Sequence, residues 1–511
     1  MGFLDSIIAA ISPEAAYKRT IYRQAYEQLR NYDAGNYDRP NQNWRVSNQS
    51  AEVTDHYSRD IVKARARDME RNSDIMNSVT GAFKRNVVGG GFQVQAKTGE
   101  TELNKEIEKA WKWWCKKQNC DITGRQSLNQ IIRMAVERKK IDGGILFVKR
   151  YTGDGFVPFK LQMIETDELD DSAVWPKNKG NKVVGGIEYN TWNHPVGYFI
   201  RQYDIEGYGQ GEATWVDAKE VIFYFTIRRP SQLREMSDMA QTVTRIRDIT
   251  EYMTAVSVKE RITACLAVFI KKALPVSGVG GGSVGRFNSQ EERASYEGKL
   301  LSPGMIKEMN AGDDAQVINP AGQGADATSF TKLQQRLVGA GQGISYEATS
   351  RDMSEATYSS ARQGMIEDDL TYKEEKEMLL EVLDEIYETF VISAVLCGAL
   401  VIPRFWEEKE RYLAHEWTQE PKPWIDPYKE SNADSIALKT GQKTYKQIAA
   451  ENGHDWRDQI DDMAEVLEYG REKGVDMENI IFGIKEAENG EKTEETDDDD
   501  ESDTGNRKRK S

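Results

Sequence analysis

Histidine, cysteine, grouped carboxylates and glycine-rich turns are the residues with which this chain of 511 residues would do chemistry. An enzyme needs such groups to converge on one point. The four histidines, His56, His194, His415 and His454, stand in no HExxH, HxH or Cys-His pattern, and no GxSxG nucleophile elbow occurs. Four cysteines do not make a disulfide framework. Cys115 and Cys120 lie beside Trp113 and Trp114 at a spacing that matches no common zinc pattern, so they read as structural thiols of a reducing, cytosolic compartment. The stretch PVSGVGGGSVG, residues 275–285, lacks the GK[ST] ending with which a loop grips phosphate, and reads as a flexible connection. Glu165, Asp167, Glu168, Asp170 and Asp171 are enough oxygen donors for a divalent cation, although an exposed acidic loop is the commoner arrangement. The three glycines at 89–91 suit a close approach to phosphate and equally a chain reversal after a helix. These residues predict no catalytic centre, no metal and no cofactor.

The elements that carry them alternate between helical and strand patterns. Val62, Met69, Met76, Val79 and Phe83 share one helical face, which predicts a helix from 54 to about 85. Helices are also expected over 14–31, 102–118, 127–140, 330–337, 363–396, 429–439, 443–451 and 457–470. The run FQVQA alternates as a strand, Ile145 to Val148 is a short buried one, and 157–227 reads as strand-rich, with further short strands over 300–320. The longest candidate helix, 240–270, carries Val243, Ile246, Ile249, Met253, Val256 and Ile262 near the helical period. A lone helix of that length needs a packing partner along its apolar stripe.

Composition sets the frame. Charged residues make up 30% and hydrophobic ones 39%, with 11 Trp and 22 Tyr, which predicts a folded chain with a polar surface. No apolar run reaches the roughly 20 residues of a membrane span. Residues 1–11 are apolar but interrupted by Asp5 and preceded by no basic stretch, which suits an amphipathic helix better than a secretory signal. The net charge is −16, partly from the acidic run over 486–503 that precedes RKRK at 507–510. Such blocks are expected to form a solvated, disordered tail. A free-standing DNA-binding module would instead be basic.

Five segments, in order, resemble the lambda-type bacteriophage portal protein family. They are GAFKRNVVGGGFQV (81–94), LQMIETDELD (161–170) with GGIEYNTWNHPVGYFI (185–200), EVIFYFTIRRPSQLREMSDMAQTVTRIRDITEY (220–252), GISYEATSRDMSEATYSSARQGMIE (343–367) and WIDPYKE (424–430). The family often has Gly-Val-Pro where Glu235, Met236 and Ser237 stand here, so the start of the long helix is expected to differ. The resemblance covers most of residues 50–460.

It implies an α+β portal fold and a closed ring, typically of twelve subunits, at one capsid vertex of the virion, assembled in the host cytoplasm. Mapped by order, 1–50 is an N-terminal arm, 51–235 the wing, 236–271 a stem helix and 272–327 the clip. Residues 328–345 form the second stem helix, 346–362 the tunnel loop, and 363–424 a long wing helix and its connection. The crown is 425–484 and the acidic tail 485–511. The tunnel loop places Thr349, Ser350, Arg351, Asp352, Ser354, Glu355 and Thr357 toward DNA. Lys259, Arg261, Lys271 and Lys272 are candidates for occasional phosphate contacts, alongside Arg351. The stem stripe from Val243 to Ile262 would pack against identical copies. The implied function is a non-enzymatic conduit for double-stranded DNA, held without sequence specificity. Duplex DNA carries one negative charge per about 1.7 Å of axis, so an acidic conduit slides where a basic one would grip. The implied partners are the terminase large subunit, which supplies the ATP-driven motor, the head–tail connector, and the major capsid and scaffold proteins, with a role as initiator of capsid assembly. Two other readings compete: a head–tail adaptor or minor capsid protein, usually a much shorter chain, and a metal-dependent nuclease built on the acids near Asp167.

Overall fold

A computed structural model describes residues 14, 17–18, 47–204, 206–207, 211–264, 268–270, 306–308, 324–419 and 427–482. The elements in chain order are α1 (Ala51–Asn72), α2 (Asp74–Phe83), β1 (Phe92–Ala96), α3 (Thr101–Trp114), α4 (Lys117–Cys120), α5 (Leu128–Asp142), β2 (Gly144–Tyr151) and β3 (Phe159–Ile164). Then come β4 (Lys182–Val184), β5 (Ile187–Tyr189), β6 (Pro195–Ile200), β7 (Thr214–Asp217), β8 (Val221–Phe225), α6 (Val243–Ala264), β9 (Val268–Ile270) and β10 (Ile306–Glu308). The remainder are α7 (Gly324–Gln342), α8 (Tyr346–Ser350), α9 (Tyr358–Leu396), α10 (Lys409–Leu413), β11 (His415–Gln419), α11 (Pro427–Lys439), α12 (Tyr445–Glu451), α13 (Trp456–Lys473) and α14 (Met477–Phe482). The mixture of helix and strand is the expected α+β class. Most of the N-terminal arm, most of the clip with its glycine-rich loop, Lys271, Lys272, the side chain of Ile262 and the acidic tail lie outside the described residues.

The chain divides into two compact units, Met1–Val88 with Cys115–Ser393, and Gly89–Trp114 with Ala394–Ser511. In the first, the single helix expected over 54–85 is two. Ser73 is extended (φ −127°, ψ 124°), and its hydroxyl accepts from the Met76 amide, so it starts α2 as an N-cap. The apolar face survives the break: Met69, Met76, Val79 and Phe83 are all buried. A π-helical turn, Lys84–Val88, ends the segment.

Two antiparallel sheets, β3-β2-β8 and β4-β5-β6-β7, share a core. Leu146, Val148 and Ile164 of the first meet Ile187, Tyr198 and Ile200 of the second. Helix α5 packs on β2. Gly143 closes α5 at φ +93°, and a Cβ there would lie 2.4 Å from the Met236 carbonyl carbon, so only glycine fits. Cys120 is buried and donates to the Cys115 carbonyl at 3.4 Å, and burial pushes its thiol up to about 12. It is an inert, structural thiol.

Glu188, on β5, is fully buried. Its carboxylate accepts from the amides of Lys177 (3.1 Å) and Asn178 (3.0 Å), from Asn181 Nδ2 (2.7 Å) and from Trp215 Nε1 (2.9 Å). The Trp215 ring lies over Gly197, where a Cβ would stand 2.3 Å from the indole. Burial alone would raise this carboxyl's pKa; the four donors outweigh it and hold the group below its ordinary range. A folded-state pKa below the unfolded value of about 4.3 stabilises the fold above that pH and loses the contribution as pH falls through the folded value. Glu188→Gln puts an amide donor against donors and is expected to cost about 1–3 kcal/mol at neutral pH. The difference from the parent should shrink below pH 4, as urea unfolding at both pH values would show.

Helix α9 has 39 residues and is therefore about 58 Å long. Its C-terminal half is core: Leu379, Leu383, Ile386, Tyr387, Phe390 and Val391 are buried. Helix α6 starts at Val243, and 236–242 is irregular, three residues later than the helical pattern predicts. Its stripe is split. Val243, Ile246 and Ile249 are buried where α6 packs on α1 and α7 within the chain, whereas Met253 is exposed and Val256 half-buried. The expectation of a stripe without intrachain partners is corrected for those first turns.

In the second unit, β1 and β11 pair antiparallel and α3 packs on β1. Trp111 stacks on Trp114 at 5.1 Å and meets the edge of Trp417 at 5.9 Å.

Candidate functional site

The segment after α7 is built to hold a short loop in place. Helix α7 ends in a Schellman motif: Gly343, at φ +70°, donates to the Ala340 carbonyl and Ile344 to the Gly339 carbonyl. Ile344 is buried beneath the turn. Ser345 then caps α8, its hydroxyl accepting from the Ala348 amide. Asp368, on α9, accepts from the Ser345 amide at 2.6 Å and hydroxyl at 2.7 Å, and Thr371 donates to the Gly343 carbonyl at 2.6 Å. Two residues a turn apart on the long helix therefore clamp the loop's start. Burial raises the Asp368 carboxyl above its ordinary range.

Within 346–362 the expected loop is partly helix. Residues 346–350 form α8, packed on α2, and α9 begins at Tyr358. Thr349 is buried and donates to the Ser345 carbonyl at 2.9 Å, which corrects its placement toward DNA: a hydroxyl satisfied by its own helix packs inward. Ser350 is half-buried and donates to the Tyr346 carbonyl. The exposed arc is Arg351 to Thr357. Asp352 accepts from the Ser354 amide and hydroxyl and from the Tyr346 hydroxyl, Glu355 pairs with Lys332 at 2.7 Å, and the Thr357 hydroxyl accepts from the Ser360 amide. Arg351 adopts the left-handed conformation (φ 59°) that ends α8, and it is exposed. Among the described residues no carboxylate pairs with it. Burial and then the charge of Arg351 push Arg85 below the ordinary arginine range. Of the phosphate-contact candidates, Lys259 is half-buried and Arg261 is exposed on the last turns of α6.

The acids of 165–171 form neither a metal site nor a free acidic loop. Asp167 is held between Lys63 (3.0 Å) and Arg67 (2.7 Å), Glu165 pairs with Arg67, Asp170 with Arg201 and Asp171 with Arg234. Burial pushes the Asp167 carboxyl up, and the two cations beside it outweigh that and hold it low. Carboxylates neutralised in this way do not gather a cation, and among the described residues no cluster suits a metal ion.

A second network pins α9 to the sheets. Lys139 and Lys140 of α5 meet Asp238 and Glu375, all buried; Glu375 also accepts from the Tyr224 hydroxyl at 2.6 Å, and Asp238 from Arg228. Sequence reading missed these residues as a group. The available signal was the dense charge of RRPSQLREMSD within an otherwise apolar stretch.

The loop lies within one of the segments that carried the resemblance, 343–367, and the acids from Glu165 to Asp170 lie within another. The family model for the lambda family of phage portal proteins matches residues 37–376, more than half of the chain. The chain belongs to that family. Its relatives include the "Probable portal protein" of Halomonas phage phiHAP-1, 24% identical over 86% of each chain. Portal protein B of Escherichia phage lambda is 19% identical over 77% of this chain and 81% of its own. A solved chain described as the neck of a native gene transfer agent particle computed with C12 symmetry aligns at 14% identity over 76% of this chain and 96% of its own, with a TM-score of 0.36. Portal proteins of this family are structural, non-enzymatic parts of the virion. In this portal chain buried pairs lock elements that lie far apart in sequence.

Proposed function

We propose that this portal chain closes into a ring at one capsid vertex of the virion, and that double-stranded DNA passes through the ring on packaging and ejection. The observation that carries this reading is an exposed apolar ladder on three helices of the first unit. Phe330, Leu333 and Leu337 recur along α7, Met253 and Val258 stand on the outer half of α6, and Met365, Ile366 and Leu370 on the first half of α9. Repeating apolar side chains on a helix face are buried against something, and in a homo-oligomer the partner is another copy. In this reading α6 and α7 are the stem, 51–235 the wing, 272–327 the clip, and 425–484 the crown. The terminase motor and the head–tail connector dock on the ring, and the capsid and scaffold proteins surround it.

The arc from Arg351 to Thr357 is the part that meets DNA. Its internal hydrogen bonds leave Arg351 as the charge available to a passing phosphate, which suits weak contact that does not read sequence. Electron microscopy of the purified protein tests the reading: rings of about a dozen subunits, each with a channel wider than a DNA duplex, are expected. Monomers alone, with and without scaffold protein, would overturn it. Arg351→Glu is expected to leave the rings intact while filled heads retain less DNA. Loss of ring assembly in that variant would place Arg351 at a subunit contact instead.

A further inference from the structure

Two tryptophans of the four-stranded sheet are almost wholly exposed: Trp175 at 86% and Trp192 at 87%. Neither is left out by accident of a loose loop. The segment that follows Trp175 is tied down by the buried Glu188, which accepts from the amides of Lys177 and Asn178 and from the Asn181 side chain. Lys177 lies over the Trp215 ring of β7 at 3.6 Å. Trp192 stands on the turn between β5 and β6. There Asn190 Oδ1 accepts from the amides of Trp192 (2.8 Å) and His194 (3.0 Å), and Asn193 adopts φ 59°. Both indoles are thus presented by backbone that is already ordered: the loop is bonded to Glu188, and the turn follows β5, which carries it.

The surroundings are basic. Lys177, Lys179 and Lys182 are exposed, and among the described residues no carboxylate pairs with them. This local excess of positive charge stands on a chain of net charge −16.

We propose that the loop 172–182 and the turn 190–194 form a docking surface for an acidic segment of another protein, one that also carries an apolar side chain. Tryptophan dominates the energetics of protein interfaces, and an anchor held rigid before binding loses little entropy on contact. Three lysines steer and orient a carboxylate-bearing strand. They are too few for the other anionic partners. Stable DNA binding neutralises on the order of 6–10 phosphates, and recognition of an anionic lipid surface uses about 4–8 basic residues. The proposal stands whether or not the ring reading holds.

The test titrates the full-length protein into a fluorescein-labelled oligoglutamate peptide carrying one leucine, read by anisotropy at low salt. Saturable binding is expected, weakened about tenfold or more by Trp192→Ala and by Lys179→Glu with Lys182→Glu. Trp113→Ala, which removes a half-exposed indole elsewhere, should leave it unchanged. All three test positions are solvent-exposed, and circular dichroism confirms that the variants stay folded. Absence of saturable binding, or equal binding by all variants, overturns the proposal. So does tighter binding of oligothymidylate or of phosphatidylglycerol vesicles at the same residues.

Discussion

Arg234→Ala is expected to destabilise the chain by about 3–5 kcal/mol, the cost of breaking a buried ion pair from one side. The guanidinium is 2% exposed and donates to Glu235 through Nε at 2.8 Å, to Asp171 at 2.7 Å, and to the carbonyls of Gly185 and Thr166. One side chain therefore ties the 3₁₀ turn after β3, the turn between β4 and β5, and the segment leading to α6. Glu235 is fully buried, and burial would raise its pKa; Arg234 first, then Lys63 and Arg59, holds it low. Without Arg234 the carboxylate keeps only its longer-range partners, and two carbonyls lose a donor. Arg234→Lys rescues little, because an ammonium cannot reproduce the planar fork. Thermal unfolding followed by circular dichroism should shift down by about 5 °C. A shift of less than about 2 °C would mean that water reaches the pair and that the network is not what holds these turns.

Leu333→Asp combined with Leu370→Asp should convert rings to monomers that remain folded. The two side chains are 54% and 58% exposed in the single chain, so the monomer loses no core. In the proposed ring each position loses the burial of about half a leucine, worth about 1–1.5 kcal/mol. Each also forces a carboxylate into an apolar contact or out of it. A loss of about 4 kcal/mol per interface weakens each association about a thousandfold, and a closed ring needs every interface at once. Sedimentation velocity and electron microscopy read the outcome. Rings that persist, or a variant that unfolds before it dissociates, would show that α7 and α9 are not the subunit contact.

The sequence by itself determined the secondary structure closely, because periodicity is local. The apolar spacing of 102–118, 127–140 and 457–470 and the alternation in FQVQA and FKLQMI became α3, α5, α13, β1 and β3. It also carried the family, through segments whose order and residue types are visible without coordinates. It did not show that Ser73 divides one helix into two, since a capping serine in an apolar pattern looks like any polar residue facing water.

Only the tertiary structure decided what the charges and the greasy stripes do. Arg67 meets Asp167 100 residues away, and Lys139 meets Glu375 236 residues away. An acid cluster read in isolation looks like a cation site; whether a base stands opposite depends on distances set by the whole fold. The same holds for apolar residues on one period. Val243, Ile246 and Ile249 are covered by α1 and α7, while Met253, Leu333 and Leu370 remain open, and Thr349 turns inward while Arg351 turns out. Periodicity places a side chain on a face of its own helix, but burial is a property of what packs against that face, and that is settled only when distant parts of the chain come together.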